Sequence, residues 1–439
     1  MAMASIVSAC SSSDDDSAAE PSKPAVEPGT FSSLKELPII NDAKVELSPS
    51  GYDRYFNSNK QYQDLAGKTD FALRLAQAIG SAEDNYIFSP LSIQMAFAML
   101  ANGASENTYD EITKVIGMEG LSRDQLREYN KLLLSHFASN SANTPFSNSP
   151  VENLKVANSC WLNEGFPVYE SFLTSSKCFY DAETYSIDFG GDDASDAINN
   201  WARISTNGKI SNVVDKNMIK KCSVLLLNSI LLEASWGETF DEKNTSRMVF
   251  TNADGKELEC EMMHSTRYAN YYSAEKFDVA SLLLGRSYYM RFFLPHEGVD
   301  IKTALSGLNG ETLRKIQQSE SGYLDLQIPK FSLSLDYDLK EMMLSLGIQE
   351  AFSEHANFAA LSPQSICVNI VKHNAYIDVH EKGIESAAVT VVGGMVTEKD
   401  KEEQTPAPIE FHVNRPFFFV IQDAYTGAIV FAGQVKNMY

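Results

Sequence analysis

Residues 381–398, EKGIESAAVTVVGGMVTE, decide how the rest of the chain is read. The composition is that of a strand, rich in valine and small residues, while the surroundings are those of a loop. Divided by the two-residue period of a strand, one face carries Ile384, Ser386, Ala388, Thr390, Val392 and Gly394 and holds no charge. The other face begins at Glu385 and continues through Ala387, Val389, Val391, Gly393 and Met395. Only the first set suits burial along its whole length. The next run, EKDKEEQTPAP at 398–408, is strongly polar, contains two prolines and must be solvated. The stretch is a strand in search of a sheet.

The chain around it is long enough to build one. With 439 residues, 44% of them hydrophobic and 21% charged, it has the composition of a globular protein with a large core. Against 36 basic residues stand 58 acidic ones, a net charge of −22, which disfavours nucleic acid and anionic membrane surfaces as partners. No run of about 18 apolar residues marks a transmembrane helix. Apart from Cys10, the cysteines are Cys160, Cys178, Cys222, Cys260 and Cys367, an odd number at long spacings with no CxxC pair. That pattern points to buried free thiols rather than to a metal site or a disulfide framework. There is no GxSxG and no HExxH, and HEKGI at 380–384 resembles a zinc motif only superficially. An enzyme, a cofactor and a metal are therefore not expected.

The first residues carry a separate signal. Val7, Ser8, Ala9 and Cys10 resemble the cleavage box of bacterial lipoproteins, in which Cys10 carries the lipid, and the Ser and Asp run that follows resembles the surface-export signal of Bacteroidota lipoproteins. The plainer alternative is a serine-rich leader with an accidental cysteine. The expected organisation is a signal remnant over 1–10, a disordered tether over 11–37 and a single domain over 38–439. The expected location is the bacterial cell surface or outer membrane, or failing that the periplasm or the extracellular space. Membrane contact would come only through the lipid on Cys10.

Periodicity places the elements. Residues 61–80 read as an amphipathic helix, and a largely buried helix starts near Pro90 with Ser89 as its cap. Residues 121–137 form another helix, with Leu126, Leu133, Leu134 and Phe137 toward the core. LKVANSCWLNEG reads as a strand, and INNWARISTNGKI as a helix ending in a left-handed stop near Asn207 and Gly208. CSVLLLNSILLEASW has the length and apolarity of a strand buried on both faces. Residues 277–294, 323–336 and 366–380 have strand character, with a helix over about 338–347. The C-terminus reads as two strands around Tyr425, Thr426 and Gly427. Helices come early and strands late, without βαβ alternation, so the class is α+β.

Seven segments in order resemble one family. FSPLS at 88–92, TNGKI at 206–210, LLLNSILLEASW ending in Trp236, IPKFSL at 328–333, DLKEMMLSLGI at 338–348, EKGIESAA at 381–388 and NRPFFF at 414–419 are similar to the serpins, over about residues 55–439. The resemblance implies three β-sheets, about eight or nine helices, an exposed reactive-centre loop and a monomer. It implies a shutter at Ser89, Ser92, Asn228 and His373, a breach at Trp236 and Glu381, and a hinge over Glu381, Gly383, Ile384, Glu385, Ser386, Ala387 and Ala388. The partner it implies is a target serine protease, trapped covalently as the loop inserts as an added strand into the central sheet.

In the family register the cleaved bond falls between Thr397 and Glu398, with Met395 or Val396 as alternatives. Small and β-branched residues there suit elastase-like or subtilisin-like enzymes. Two departures stand out: Ile384 occupies a position where Thr or Ser is common, which is expected to slow the first step of insertion, and the segment to Pro416 is about eight residues longer than the family register predicts. The competing reading is a non-inhibitory binding or structural member whose loop is only a substrate. The uncharged inward set favours inhibition.

Overall fold

The computed structural model describes residues 31, 33–36, 69–79, 84–141, 151–368, 371–384 and 407–439. In chain order these form β1 (Lys35–Glu36), α1 (Asp70–Ile79), β2 (Tyr86–Phe88), α2 (Pro90–Gly103), α3 (Glu106–Val115), α4 (Arg123–Ser141), β3 (Glu152–Asn163), α5 (Glu170–Tyr180), β4 (Ala182–Ile187), α6 (Ala194–Ser205), α7 (Lys216–Ile219) and β5 (Val224–Ser235). Next come β6 (Ser246–Thr251), β7 (Glu257–Ser273), β8 (Phe277–Leu284), β9 (Tyr288–Pro295), α8 (Ile301–Leu305), α9 (Gly310–Gln317), β10 (Ser321–Pro329), β11 (Phe331–Asp338) and α10 (Lys340–Leu346). The last elements are β12 (Lys372–His380), β13 (Gly383–Ile384), β14 (Ile409–His412), β15 (Phe417–Asp423) and β16 (Ile429–Val435).

The order of helices and strands is that of an α+β fold, with ten α-helices among the described residues. One sheet has seven strands in the order β1-β4-β3-β5-β13-β12-β11. The other follows β14-β10-β7-β8-β9-β15-β16-β2, with β6 paired to β7. The 17-residue β7 runs on past each neighbour, so what the sequence suggests as separate sheets is hydrogen-bonded here into one path. α2 packs against β5 of the first sheet and β16 of the second, and nearly all of its residues are buried. A helix enclosed on all sides has no need of a polar face. Its start is as expected: the Ser89 side chain accepts from Ser92 N, and Pro90 occupies the first turn, where its missing N–H costs nothing. The aromatic run Phe417, Phe418 and Phe419 packs on Phe292, Phe293 and Phe331 in the main core.

Several elements differ from the periodicity reading. Residues 277–294 form two strands, because the chain turns at Gly285 with φ +59° and the turn closes on the buried Glu152 carboxylate. The 323–336 stretch breaks at Lys330 into β10 and β11, and the C-terminus has three strands, not two. Leu126, Leu133 and Phe137 of α4 are buried as expected, with Leu134 half-buried at their edge. α6 ends at Ser205, and Asn207 and Gly208 adopt positive φ. Within the stretch 11–37, Phe31 and Leu34 pack on the cluster around Trp161 and Trp201, and Lys35–Glu36 pair with β4. Two apolar side chains within a polar stretch found a hydrophobic patch. Cys160 and Cys222 are buried free thiols, but Cys367 is exposed, since it lies in the connection before β12 rather than in the strand expected from 366.

Candidate functional site

The centre of the seven-stranded sheet is built from two strands that do not pair with each other. β5 has β3 on one side and β12 has β11 on the other, and among the described residues only Gly383–Ile384 link them. Ile384 lies opposite Val379 of β12 and Ala234 of β5, antiparallel to both. Its side chain is 2% exposed. Gly383 has φ +139°, and a Cβ there would lie 2.1 Å from Ala234 O and 2.6 Å from Ser235 Cα. Glycine is required twice over, by the backbone angle and by the approach of β5.

The turn into β13 is held from below. Trp236 N donates to Lys382 O at 3.0 Å, Trp236 Nε1 to His380 O at 2.8 Å and Phe240 N to Glu381 O at 3.0 Å. The Glu381 carboxylate accepts from Thr245 Oγ1 at 2.8 Å and pairs with Lys330 Nζ at 3.2 Å. Lys330 in turn reaches Glu261 at 3.2 Å. Burial works to raise the Glu381 carboxyl, but the hydrogen bonds from backbone, Thr245 and Lys330 prevail and hold it below the usual carboxylate range. Sequence reasoning named Trp236 and Glu381 but not Lys330 or Thr245. Lys330 stands inside the quoted IPKFSL motif, but nothing in its spacing ties it to residue 381.

Toward the middle of the same seam lies a polar row. Ser89 N donates to His373 Nε2 at 2.9 Å, Ser89 Oγ donates to Val430 O at 2.6 Å and Ser92 Oγ donates to Asn228 Oδ1. Asn228 Nδ2 continues to Asn158 Oδ1 at 2.7 Å, and Asn158 Nδ2 to Tyr180 O at 2.6 Å. The four residues expected together, Ser89, Ser92, Asn228 and His373, are together, joined by Asn158, which the sequence reading missed. β5 and β12 meet here without stranding these groups. β5 is not buried on both faces as expected: Val224, Leu226 and Asn228 are half-exposed, since they border the open part of the seam.

Burial lowers the His373 pKa from 6.5 to about 4. The neutral ring is needed, because Nε2 accepts a hydrogen bond. The unfolded chain takes up a proton near pH 6.5 while the folded chain does not. Stability is therefore complete above about pH 6.5 and falls as pH drops toward about 4, by about 3 kcal/mol in all. Urea midpoints between pH 7.5 and 4.5 should fall more steeply for the parent than for His373→Gln. Equal slopes would assign the acid loss to other groups.

Of the other expected positions, Glu385, Ser386, Ala387, Ala388, Met395, Val396, Thr397, Glu398 and Cys10 lie outside the described residues.

A family model described as Serpin (serine protease inhibitor) matches residues 66–438. An uncharacterized serpin-like protein of Methanosarcina mazei is 31% identical over 412 residues, spanning 92% of this chain and 90% of that protein. Iripin-1 of Ixodes ricinus is 29% identical over 92% of this chain and 100% of its own. Among solved structures, the thermophilic serpin Tengpin in its native state superposes with a TM-score of 0.75 at 24% identity, over 87% of this chain and 95% of that one. Human thyroxine-binding globulin, in complex with thyroxine, gives 0.73 at 25% identity over 86% of this chain and 98% of that one.

Proposed function

The chain belongs to the serpin family, whose members are in general protease inhibitors rather than catalysts, and we propose that this one inhibits serine proteases as a suicide substrate. The observation that carries the proposal is the place of Gly383–Ile384 as the first two residues of a strand between β5 and β12. Continuing the same register sets Ser386 opposite Leu232 and Ile377, Ala388 opposite Ile230 and Ala375, Thr390 opposite Asn228 and His373, and Val392 opposite Leu226 and Val371. Leu226, Asn228, Ile230 and Leu232 share one row of β5, His373, Ala375 and Ile377 form the buried row of β12, and Val371 just precedes β12. The uncharged face found in the sequence is thus the face that would meet the core, and Thr390 would bring its hydroxyl to the polar row.

In this reading the serine of the target attacks the Thr397 carbonyl, an ester to Thr397 forms and the amine of Glu398 leaves. Insertion of about 14 residues at roughly 3.3 Å each then carries the acylated end about 45 Å. Ser89, Ser92, Asn228 and His373 act as the shutter, and Trp236 and Glu381, with Lys330, as the breach that holds the hinge. Ile384 brings no delay of its own, because it is already seated. Cys10 would anchor the protein at a bacterial surface.

An elastase-type protease mixed with the full chain should give a band that survives denaturing electrophoresis, with mass spectrometry placing the new amino terminus at Glu398 or within two residues of it. Cleavage of the loop with no high-mass band would replace the inhibitor with a substrate.

A further inference from the structure

Below the polar row the seam widens into a cavity of about 270 Å³. Phe97 and Leu100 of α2, Leu226 of β5 and Leu361, Ile366 and Val371 from the other side give it apolar walls. The lining also includes the buried Ser92 and His373 and, toward solvent, the exposed Lys221 and the half-buried Lys372. Among the described residues no Asp or Glu contributes to the lining, in a chain where acidic residues outnumber basic ones by 58 to 36. The site thus combines a greasy interior with a cationic rim, against the charge of the whole molecule.

We infer that this cavity binds one medium-chain fatty acid, a saturated monocarboxylate of about eight to twelve carbons. The alkyl chain lies between α2 and β5 and the carboxylate at Lys221. The volume sits just under the range of about 300–1,000 Å³ usual for small-ligand pockets, which favours a slender, compact ligand. Each methylene that still fits should tighten binding about fourfold. Resting on the proposed function, the inference has a regulatory side: the inserting strand would bring Val392 to the same space, between Leu226 and Val371, so the ligand and the inserted loop exclude each other.

The test is titration calorimetry of the intact full chain with octanoate, decanoate and decanol at pH 7.5. The expected result is one decanoate per chain, bound about tenfold or more tighter than octanoate. Lys221→Glu, a change at an exposed position, should weaken decanoate at least tenfold and leave decanol unaltered. Ala96→Leu, which fills the cavity from α2, should weaken both. Absence of saturable binding, several molecules per chain, or equal decanoate affinity in Lys221→Glu would overturn the site. Loop-cleaved protein separates the two claims. If the intact chain binds decanoate and the cleaved chain binds it equally well, the cavity site stands and loop insertion fails.

Discussion

On the proposed function, Ser386→Arg is expected to convert a covalent trap into an ordinary substrate. Position 386 is the first inward residue after Ile384, and the register set by Ile384 against Ala234 and Val379 places it between Leu232 and Ile377. Both are buried, at 2% and 1% exposure. A guanidinium forced between them has no anion to meet, and its desolvation costs several kcal/mol. A barrier raised by about 3–4 kcal/mol slows insertion on the order of 200- to 1,000-fold. Hydrolysis of the ester is unaffected and wins the competition. The measured quantity is the number of inhibitor molecules consumed per protease inactivated, which should rise steeply, with cleaved chain accumulating and the covalent band lost. Glu385→Arg, on the opposite face, is the control and should inhibit like the parent. If Ser386→Arg inhibits equally well, the division of the stretch into inward and outward faces is wrong.

The two faces of 381–398 were legible in the sequence because a strand's period is local and survives without knowledge of its neighbours. The neighbours were not. β5 and β12 lie well over a hundred residues apart in the chain and meet only through the fold, so their identity came from the resemblance carried by LLLNSILLEASW and EKGIESAA. The polar row was readable as residue types at motif positions, but Asn158, its link to Tyr180, sits in a strand whose pattern shows nothing unusual. Lys330 and Thr245 were missed for the same reason: each belongs to a different element, and only the tertiary fold brings them to Glu381. The cavity left no trace in the sequence, since its walls are ordinary core residues and its character lies in what does not fill it.

The hinge adds a point of mechanism. Gly383 and Ile384 are held between β5 and β12 while three hydrogen bonds from Trp236 and Phe240 fix the turn before them. In the proposed mechanism insertion is thus already nucleated, and what remains is propagation down the seam. Ordering about 12 further residues costs on the order of 12–24 kcal/mol, and about 20 ladder hydrogen bonds return about 1 kcal/mol each. Those contributions nearly cancel. The net gain rests on burying Ala388 and Val392, about 3 kcal/mol by apolar transfer, and on strain released from a metastable fold.

Thermal unfolding of the intact chain beside the same chain cleaved once in the loop tests that claim most directly. At about 1.3 °C per kcal/mol for a domain of this size, apolar burial alone should raise the melting temperature of the cleaved form by about 4 °C, and strain release should raise it further. Amides of 225–233 and 374–379 should gain protection from hydrogen exchange at the same time. A cleaved chain that melts at or below the temperature of the intact one, with exchange in β5 and β12 unchanged, would contradict the account: the strand at 381–398 would then have no sheet to enter.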